Sequence, residues 1–264
     1  KGRVLVNAAG PWADIVMARL AGGEPPRKLV RSKGIHIITR PLTDTHAVTL
    51  AAPGGGHFFI IPWRGHSLIG TTDTLYEGDP DSFGVTEQDI ARFIAVVNGG
   101  FPAAELTRED VLFFYGGMRP IVDRQTHVKA GVVDDTSKRD TYSASRASEI
   151  YDHESHGGPA GVISAIGGKW TTSRHLAEQI VDLAVDKLGI AAKPCATETL
   201  PTYGGVVGRF AGFQEQARER NRELSPDVID NLTRSYGSRM DDVIGLTKDT
   251  PELATRICEG RTHL

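Results

Sequence analysis

Apolar and polar positions alternate along this chain in two rhythms. The run Val4-Leu5-Val6-Asn7-Ala8-Ala9-Gly10 is apolar and ends in small residues, and Pro11-Trp12-Ala13-Asp14 then opens a helix lasting to about Leu20. Pro11 suits the first helical position, where its missing N–H costs nothing. From Lys28 to about Val133 the period shortens to that of strands. Residues 34–39 and 47–50 read as strands, residues 57–62 and 66–71 flank a turn at Trp63-Arg64-Gly65 as a hairpin, and Val111-Leu112-Phe113-Phe114-Tyr115 is a further strand. One helix interrupts them: Thr86 can cap it, Glu87 and Asp89 sit in its first turn, and Ile90, Ile94 and Val97 form its buried stripe.

Residues 124–159 are polar and turn-rich and predict an excursion of strands and loops, with His153 and His156 solvated. A buried strand returns at residues 161–166, followed by a helix from about Thr172 to Leu188 that carries Leu176, Ile180, Leu183 and Leu188 on one face and ends at Gly189. Beyond Ala191 the pattern is helical; Ser225-Pro226-Asp227 and Thr250-Pro251-Glu252 are helix starts, and Gly237 and Gly260 are stops. The expected fold class is therefore α+β or α/β. A mostly antiparallel sheet over residues 28–160 is inserted in an α/β domain formed by residues 1–27 and 161–190, with a helical region over residues 191–264. A chain that leaves one domain, builds another and returns suggests a ligand site at the boundary.

Composition narrows the function classes. The chain has 264 residues, 24% charged, with a net charge of −3, so nothing in it suggests a nucleic-acid partner. No apolar run approaches the roughly 18 residues needed to span a bilayer. Cys195 and Cys258 are the only cysteines and have no metal-ligand spacing, so neither a disulfide framework nor a metal site is expected, and a reducing cytoplasm is the default location. The first residues run straight into a strand without an initiator Met or a signal pattern, and the chain reads as a piece of a longer protein.

Three segments carry candidate chemistry. In Gly167-Gly168-Lys169-Trp170-Thr171-Thr172 a strand, a glycine turn and a helix start come together, where backbone N–H groups, a dipole end and a lysine can meet an anion. The same grammar also makes an ordinary βα turn. A P-loop is excluded, since Ile163 stands where it needs glycine and Trp170 where it needs Ser or Thr. In Tyr115-Gly116-Gly117-Met118-Arg119-Pro120, Pro120 forces Arg119 into extended backbone, so the guanidinium is either a preorganised donor for an anion or a structural salt bridge. Gly70-Thr71-Thr72-Asp73 reads as a capped turn or a ligand contact, and the triple glycine at 54–56 as a hairpin turn. His36, inside an apolar strand, is a half-buried histidine or a weak candidate base. No G-x-G-x-x-G occurs, so the usual dinucleotide fingerprint is absent.

Taken in order, Val-Asn-Ala-Ala-Gly-Pro-Trp-Ala-Asp (6–14), Val-Arg-Ser-Lys-Gly-Ile-His-Ile (30–37), Ile-Pro-Trp (61–63), Leu-Ile-Gly-Thr-Thr-Asp-Thr (68–74), Tyr-Gly-Gly-Met-Arg-Pro (115–120) and Ile-Gly-Gly-Lys-Trp-Thr-Thr (166–172) resemble the FAD-dependent glycerol-3-phosphate dehydrogenases of the D-amino-acid-oxidase-like flavoprotein superfamily. The likeness covers residues 1–190 well and the helical tail more weakly. It implies that residues 1–27 and 161–190 belong to an FAD-binding domain, 28–160 to a substrate (cap) domain, and 191–264 to a truncated C-terminal helical domain. The implied reaction oxidises sn-glycerol 3-phosphate to dihydroxyacetone phosphate, with a hydride passing to FAD and electrons on to a quinone. An oxidase using oxygen and an amino-acid-oxidase-like enzyme with Arg119 on a carboxylate are the alternatives inside the superfamily; a non-catalytic binding domain is the alternative outside it.

The resemblance assigns catalysis and substrate binding to Arg119 and Lys169, with His36 as a further substrate contact. It assigns FAD contacts to Ala9, Gly10, Gly168, Lys169, Trp170 and Thr171. It implies a cytoplasmic protein that can sit peripherally on the inner face of the cytoplasmic membrane. The family's FAD fingerprint would lie upstream of Lys1, so the chain alone is expected to bind FAD weakly and to be inactive.

Overall fold

A computed structural model describes residues 2–122 and 148–256. Most of the polar excursion, residues 123–147, and the stop at Gly260 lie outside the described residues. The chain divides into two compact units, the first running to Ala192 and the second beginning at Lys193.

The first unit holds two sheets. The smaller is β1 (Leu5–Asn7), β9 (Val162–Gly167) and β8 (Ser148–Asp152), in the order β1-β9-β8. β1 and β9 run parallel with Asn7 beside Ser164, and β8 is antiparallel to β9. After β1 the chain passes through a single 3₁₀ turn at Gly10–Trp12 into α1 (Ala13–Ala21), and after β9 through a turn at Trp170–Thr172 into α3 (Ser173–Leu188). Pro11 occupies the start of the first turn as its fixed φ favours, and Gly22 and Gly189 close α1 and α3 in the left-handed conformation. Of the four apolar positions read on α3, only Ile180 is buried.

The larger sheet orders β3 (Val48–Ala51), β4 (His57–Trp63), β5 (His66–Gly70), β2 (Leu29–Thr39) and β6 (Thr74–Tyr76), with β7 (Val111–Val122) also on β2. The β4–β5 hairpin turns at Arg64 (φ 50) and Gly65 (φ 78), the pair of positive φ values that a two-residue turn needs to match strand twist. Two strands are longer than the sequence pattern indicated. β2 begins at Leu29 rather than Gly34, and β7 continues through Gly116-Gly117 and Pro120 to Val122, because each satisfies the other's backbone along almost its whole length. The Tyr115–Pro120 segment is therefore part of the strand, with Arg119 in extended backbone as Pro120 requires.

One face of this sheet is covered by α2 (Glu87–Gly100). Thr86 and Asp89 form its capping box, as read from sequence, while Phe93 rather than Ile94 joins Ile90 and Val97 in the fully buried stripe. These three pack on Ile35, Ile37, Phe58, Ile60 and Ile69. Lys33 points to the same side, where its ammonium meets the Asp89 carboxylate at 2.5 Å and the Gly84 carbonyl at 2.8 Å. The other face of β2 presents Ser32, Gly34 and His36.

The second unit contains α4 (Phe210–Arg220), α5 (Pro226–Tyr236) and α6 (Met240–Asp249) around Ala217, Val228, Ile229, Leu232, Met240 and Ile244. Ser225 precedes α5 as its N-cap residue, and Arg218 clamps Asp230 with two bonds of 2.7 and 2.6 Å. Among the described residues no helix is long and apolar enough to cross a membrane.

Phe93 is 1% exposed at the centre of the α2–sheet core. Phe93→Ala should destabilise the first unit by about 3–5 kcal/mol, read as a lowered urea midpoint with unchanged m-value.

Candidate functional site

The open face of β2 and β7 carries the most organised polar cluster. Arg119 sits opposite Ser32, Gly117 opposite Gly34, and Tyr115 opposite His36. With glycine at position 34, the Arg119 side chain can lie flat along the sheet. A Cβ on Gly34 would stand 2.4 Å from Arg119 Nη2 and 2.7 Å from Cζ, so any other residue there would displace the guanidinium. The turn after β5 then grips it: Nη2 donates to Thr71 Oγ1 at 2.8 Å and Nη1 to the Thr72 carbonyl at 3.2 Å and Ser32 Oγ at 3.3 Å. The Ser32 hydroxyl in turn donates to the Asp73 carboxylate. The Thr72 hydroxyl accepts the Ile35 amide at 3.0 Å, which ties the turn to β2.

His36 occupies the next place on the same face. Its ring stacks on Tyr115, centroids 4.9 Å apart and 7° from parallel, and lies over Gly70, where a Cβ would come within 2.0 Å of the ring. Burial is the main reason its pKa falls below 6.5, and the nearby Arg119 charge lowers it further. The structure thus joins three segments that sequence treated separately: the strand with His36, the Gly70–Asp73 turn and the strand with Arg119. The Gly70–Asp73 turn holds Arg119 through Thr71 and Thr72, a contact that neither reading of the turn contained.

Ala9 and Gly10 occupy the turn that leaves β1, beside β7 and β9. Gly10 has φ 55 and open space where a Cβ would stand. Asn7 fixes this turn, accepting the Ala9 amide at 3.2 Å and donating to the Ala13 carbonyl at 3.0 Å. From β2, Arg31 donates to the Pro11 carbonyl at 2.8 Å and pairs with Asp14 at 2.5 Å, so the sheet with Arg119 is tied to the turn.

Gly168 (φ 101), Lys169, Trp170 and Thr171 leave β9 in the direction that Ala8–Gly10 leave parallel β1. Carboxyl ends of parallel strands are where open α/β sheets bind ligands. Lys169 and Thr171 are exposed, and Trp170 is 95% exposed. A cleft of about 540 Å³ lies between Gly54–Gly56, Thr71–Thr74 and Arg92. Among the described residues no group of acidic, histidine and cysteine side chains could hold a metal ion.

One expectation is corrected. His153 is not solvated: it is 3% exposed, with Nε2 2.9 Å from Ser164 Oγ, and only His156 stands in solvent. The polar loop context misled because the chain turns back at Gly157-Gly158, whose Gly158 amide caps the His153 carbonyl at 2.8 Å and folds the residue inward.

Residues 1–174 match the model of the FAD dependent oxidoreductase family. The chain is 37% identical, over 96% of its length, to the glycerol-3-phosphate dehydrogenase of Synechocystis, and 32% identical, over 94%, to the aerobic glycerol-3-phosphate dehydrogenase of Staphylococcus aureus. It spans only 45% and 43% of those two proteins. The crystal structure of the Bacillus halodurans glycerol-3-phosphate dehydrogenase complexed with FAD superposes with a TM-score of 0.75 at 29% identity, covering 95% of this chain and 46% of that one.

Gly34→Ala should displace the Arg119 guanidinium and Gly70→Ala the His36 ring, each seen as loss of the corresponding side-chain contacts in a crystal structure while the sheet persists. Because the His36 pKa is lowered on folding, the neutral ring stabilises the fold fully above about pH 6.5, and that contribution is lost as pH falls. A histidine NMR titration should place His36 below 6.5, and Arg119→Gln should move it only part of the way back, since burial remains.

Proposed function

The chain belongs to the FAD-dependent oxidoreductase family, and we propose that it forms the substrate-handling half of an enzyme that oxidises sn-glycerol 3-phosphate to dihydroxyacetone phosphate and passes electrons to a quinone. The observation that carries this reading is the guanidinium of Arg119, laid flat over Gly34 and aimed along the face that holds His36. Dehydrogenases of this substrate among the relatives support the choice over an oxidase or an amino-acid enzyme.

The strand ends suit a flavin nucleotide. Gly10 and Gly168 both hold positive φ, and no side chain stands over Gly10, so a planar group and its diphosphate could approach the backbone closely. Ala9, Gly10, Gly168, Trp170 and Thr171 would hold it. When bound, FAD supplies the acceptor for the electron pair and leaves the protein to position and polarise the substrate.

The chain's own groups divide the remaining work. Arg119 donates hydrogen bonds to the C2 oxygen as negative charge grows on it, and needs no reorganisation because three acceptors already fix its plane. His36, neutral for the reasons above, can accept the C2 hydroxyl proton at Nε2 or Nδ1. Lys169, at the start of a helix, pairs with the dianionic phosphate, where the helix dipole adds to its charge.

The test is turnover by the chain extended to the relatives' full length. Arg119→Lys should lower kcat/KM for glycerol 3-phosphate about 100-fold or more, since a point charge cannot reproduce the fork. Lys169→Met should act mainly through a raised KM. Turnover of amino acids in place of glycerol 3-phosphate, or full activity in both variants, would overturn the reading.

A further inference from the structure

Asn7 of β1, Ser164 of β9 and His153 just after β8 form a buried line of hydrogen bonds across the smaller sheet; they are 3%, 0% and 3% exposed. The roles along the line follow from the ends. Asn7 Oδ1 accepts the Ala9 amide and Nδ2 donates to the Ala13 carbonyl, so the carboxamide has one orientation and its second N–H donates to Ser164 Oγ at 3.0 Å. Ser164 then has a single hydroxyl proton, and the acceptor facing it is His153 Nε2 at 2.9 Å. A ring nitrogen that accepts carries no proton.

We propose that His153 is a positioning residue for the Ala8–Gly10 turn, held as the neutral Nδ1–H imidazole that terminates a hydrogen-bond chain running from the Ala9 amide through Asn7 and Ser164. The turn's part in holding FAD is the reading given above, and the relevance to cofactor binding rests on it. Protonating His153 puts a donor where the chain needs an acceptor: Ser164 must then accept from both neighbours, and its own buried proton has nowhere to go.

The surroundings oppose that protonation. Asp152 is adjacent and would favour the cation, but its carboxylate is engaged by Lys187 of α3 at 2.9 Å, which also holds Glu154 at 2.8 Å. The His156 ring stacks on Tyr151, whose edge meets His153 at 4.9 Å, and Arg27 covers the same tyrosine while paired with Glu149. On α1, Asp14 is committed to Arg31. Burial is the largest influence and lowers the His153 pKa; Asp152 pulls it up and His156 pushes it down.

The test uses nitrogen NMR of the chain itself. The His153 ring should show the Nδ1–H form near neutral pH, and amide exchange at Ala9, corrected for intrinsic rate, should accelerate as that ring titrates. Ser164→Ala should speed exchange at Ala9 about tenfold, as loss of one buried hydrogen bond implies, and Ser164→Thr, which keeps the hydroxyl, should restore it. His153→Gln, which can place an amide oxygen where Nε2 stands, should keep Ala9 protected and remove the pH dependence. An Nε2–H ring, or an Ala9 amide indifferent to both the titration and Ser164→Ala, would overturn the proposal. Coupling of Ala9 to the ring with FAD affinity unchanged by Ser164→Ala in the chain extended to full length would uphold the hydrogen-bond chain and overturn the flavin reading of the turn.

Discussion

A guanidinium lies flat on a β-sheet only where no side chain stands beneath it, and the site depends on that constraint. Arg119 lies over Gly34, and the same absence of a side chain lets His36 lie over Gly70. Glycine weakens a strand by removing packing and adding chain entropy. β2 accommodates this because it bonds to β5, β6 and β7 and its opposite face is sealed by the isoleucines under α2. The apolar face supplies the rigidity that the polar face gives up, and one strand alternates between the two duties residue by residue.

Charge follows from the same geometry. Arg119 is bonded to three oxygens at 2.8–3.3 Å, and its charge adds to burial in lowering the His36 pKa. An imidazole held neutral beside a cation is a proton acceptor, whereas the same imidazole beside a carboxylate would be a charge partner. Ser32 links the cluster to a carboxylate, since its hydroxyl accepts from Arg119 Nη1 and donates to Asp73.

Much of this was legible in the chain. The period-two pattern located the strands, Thr86 with Asp89 announced the α2 cap, and Gly189 its neighbour's end, because each is a local signal. The length of β7 was not local. The strand pattern runs only to Tyr115, yet the register with β2 carries the strand on through Gly116, Gly117 and Pro120, and tertiary pairing overrides propensity there. The grouping of His36, Thr71 and Arg119 was invisible for the same reason, since separations of 35 and 48 residues leave no periodic trace. The inward turn of His153 depended on a distant serine, and its loop composition pointed the other way.

The two strand ends of the smaller sheet differ in how they are held, and the difference bears on what each can do. Ala8–Gly10 is fixed from behind by Asn7, from β2 by Arg31, and at Trp12 by a bond from the indole to Asp81 at 2.7 Å. Gly168–Thr171 is held chiefly by its own turn, with the Thr172 hydroxyl donating to the Lys169 carbonyl at 3.2 Å, and it presents Lys169 and Trp170 outward. A pre-fixed backbone surface suits the invariant part of a ligand, such as a nucleotide cofactor, because no ordering entropy is lost on binding. An exposed lysine loses rotamer freedom when a ligand arrives, so Lys169 suits a group that is bound and released in every cycle. The parallel pair therefore places a rigid contact and a yielding one at the same edge of one sheet.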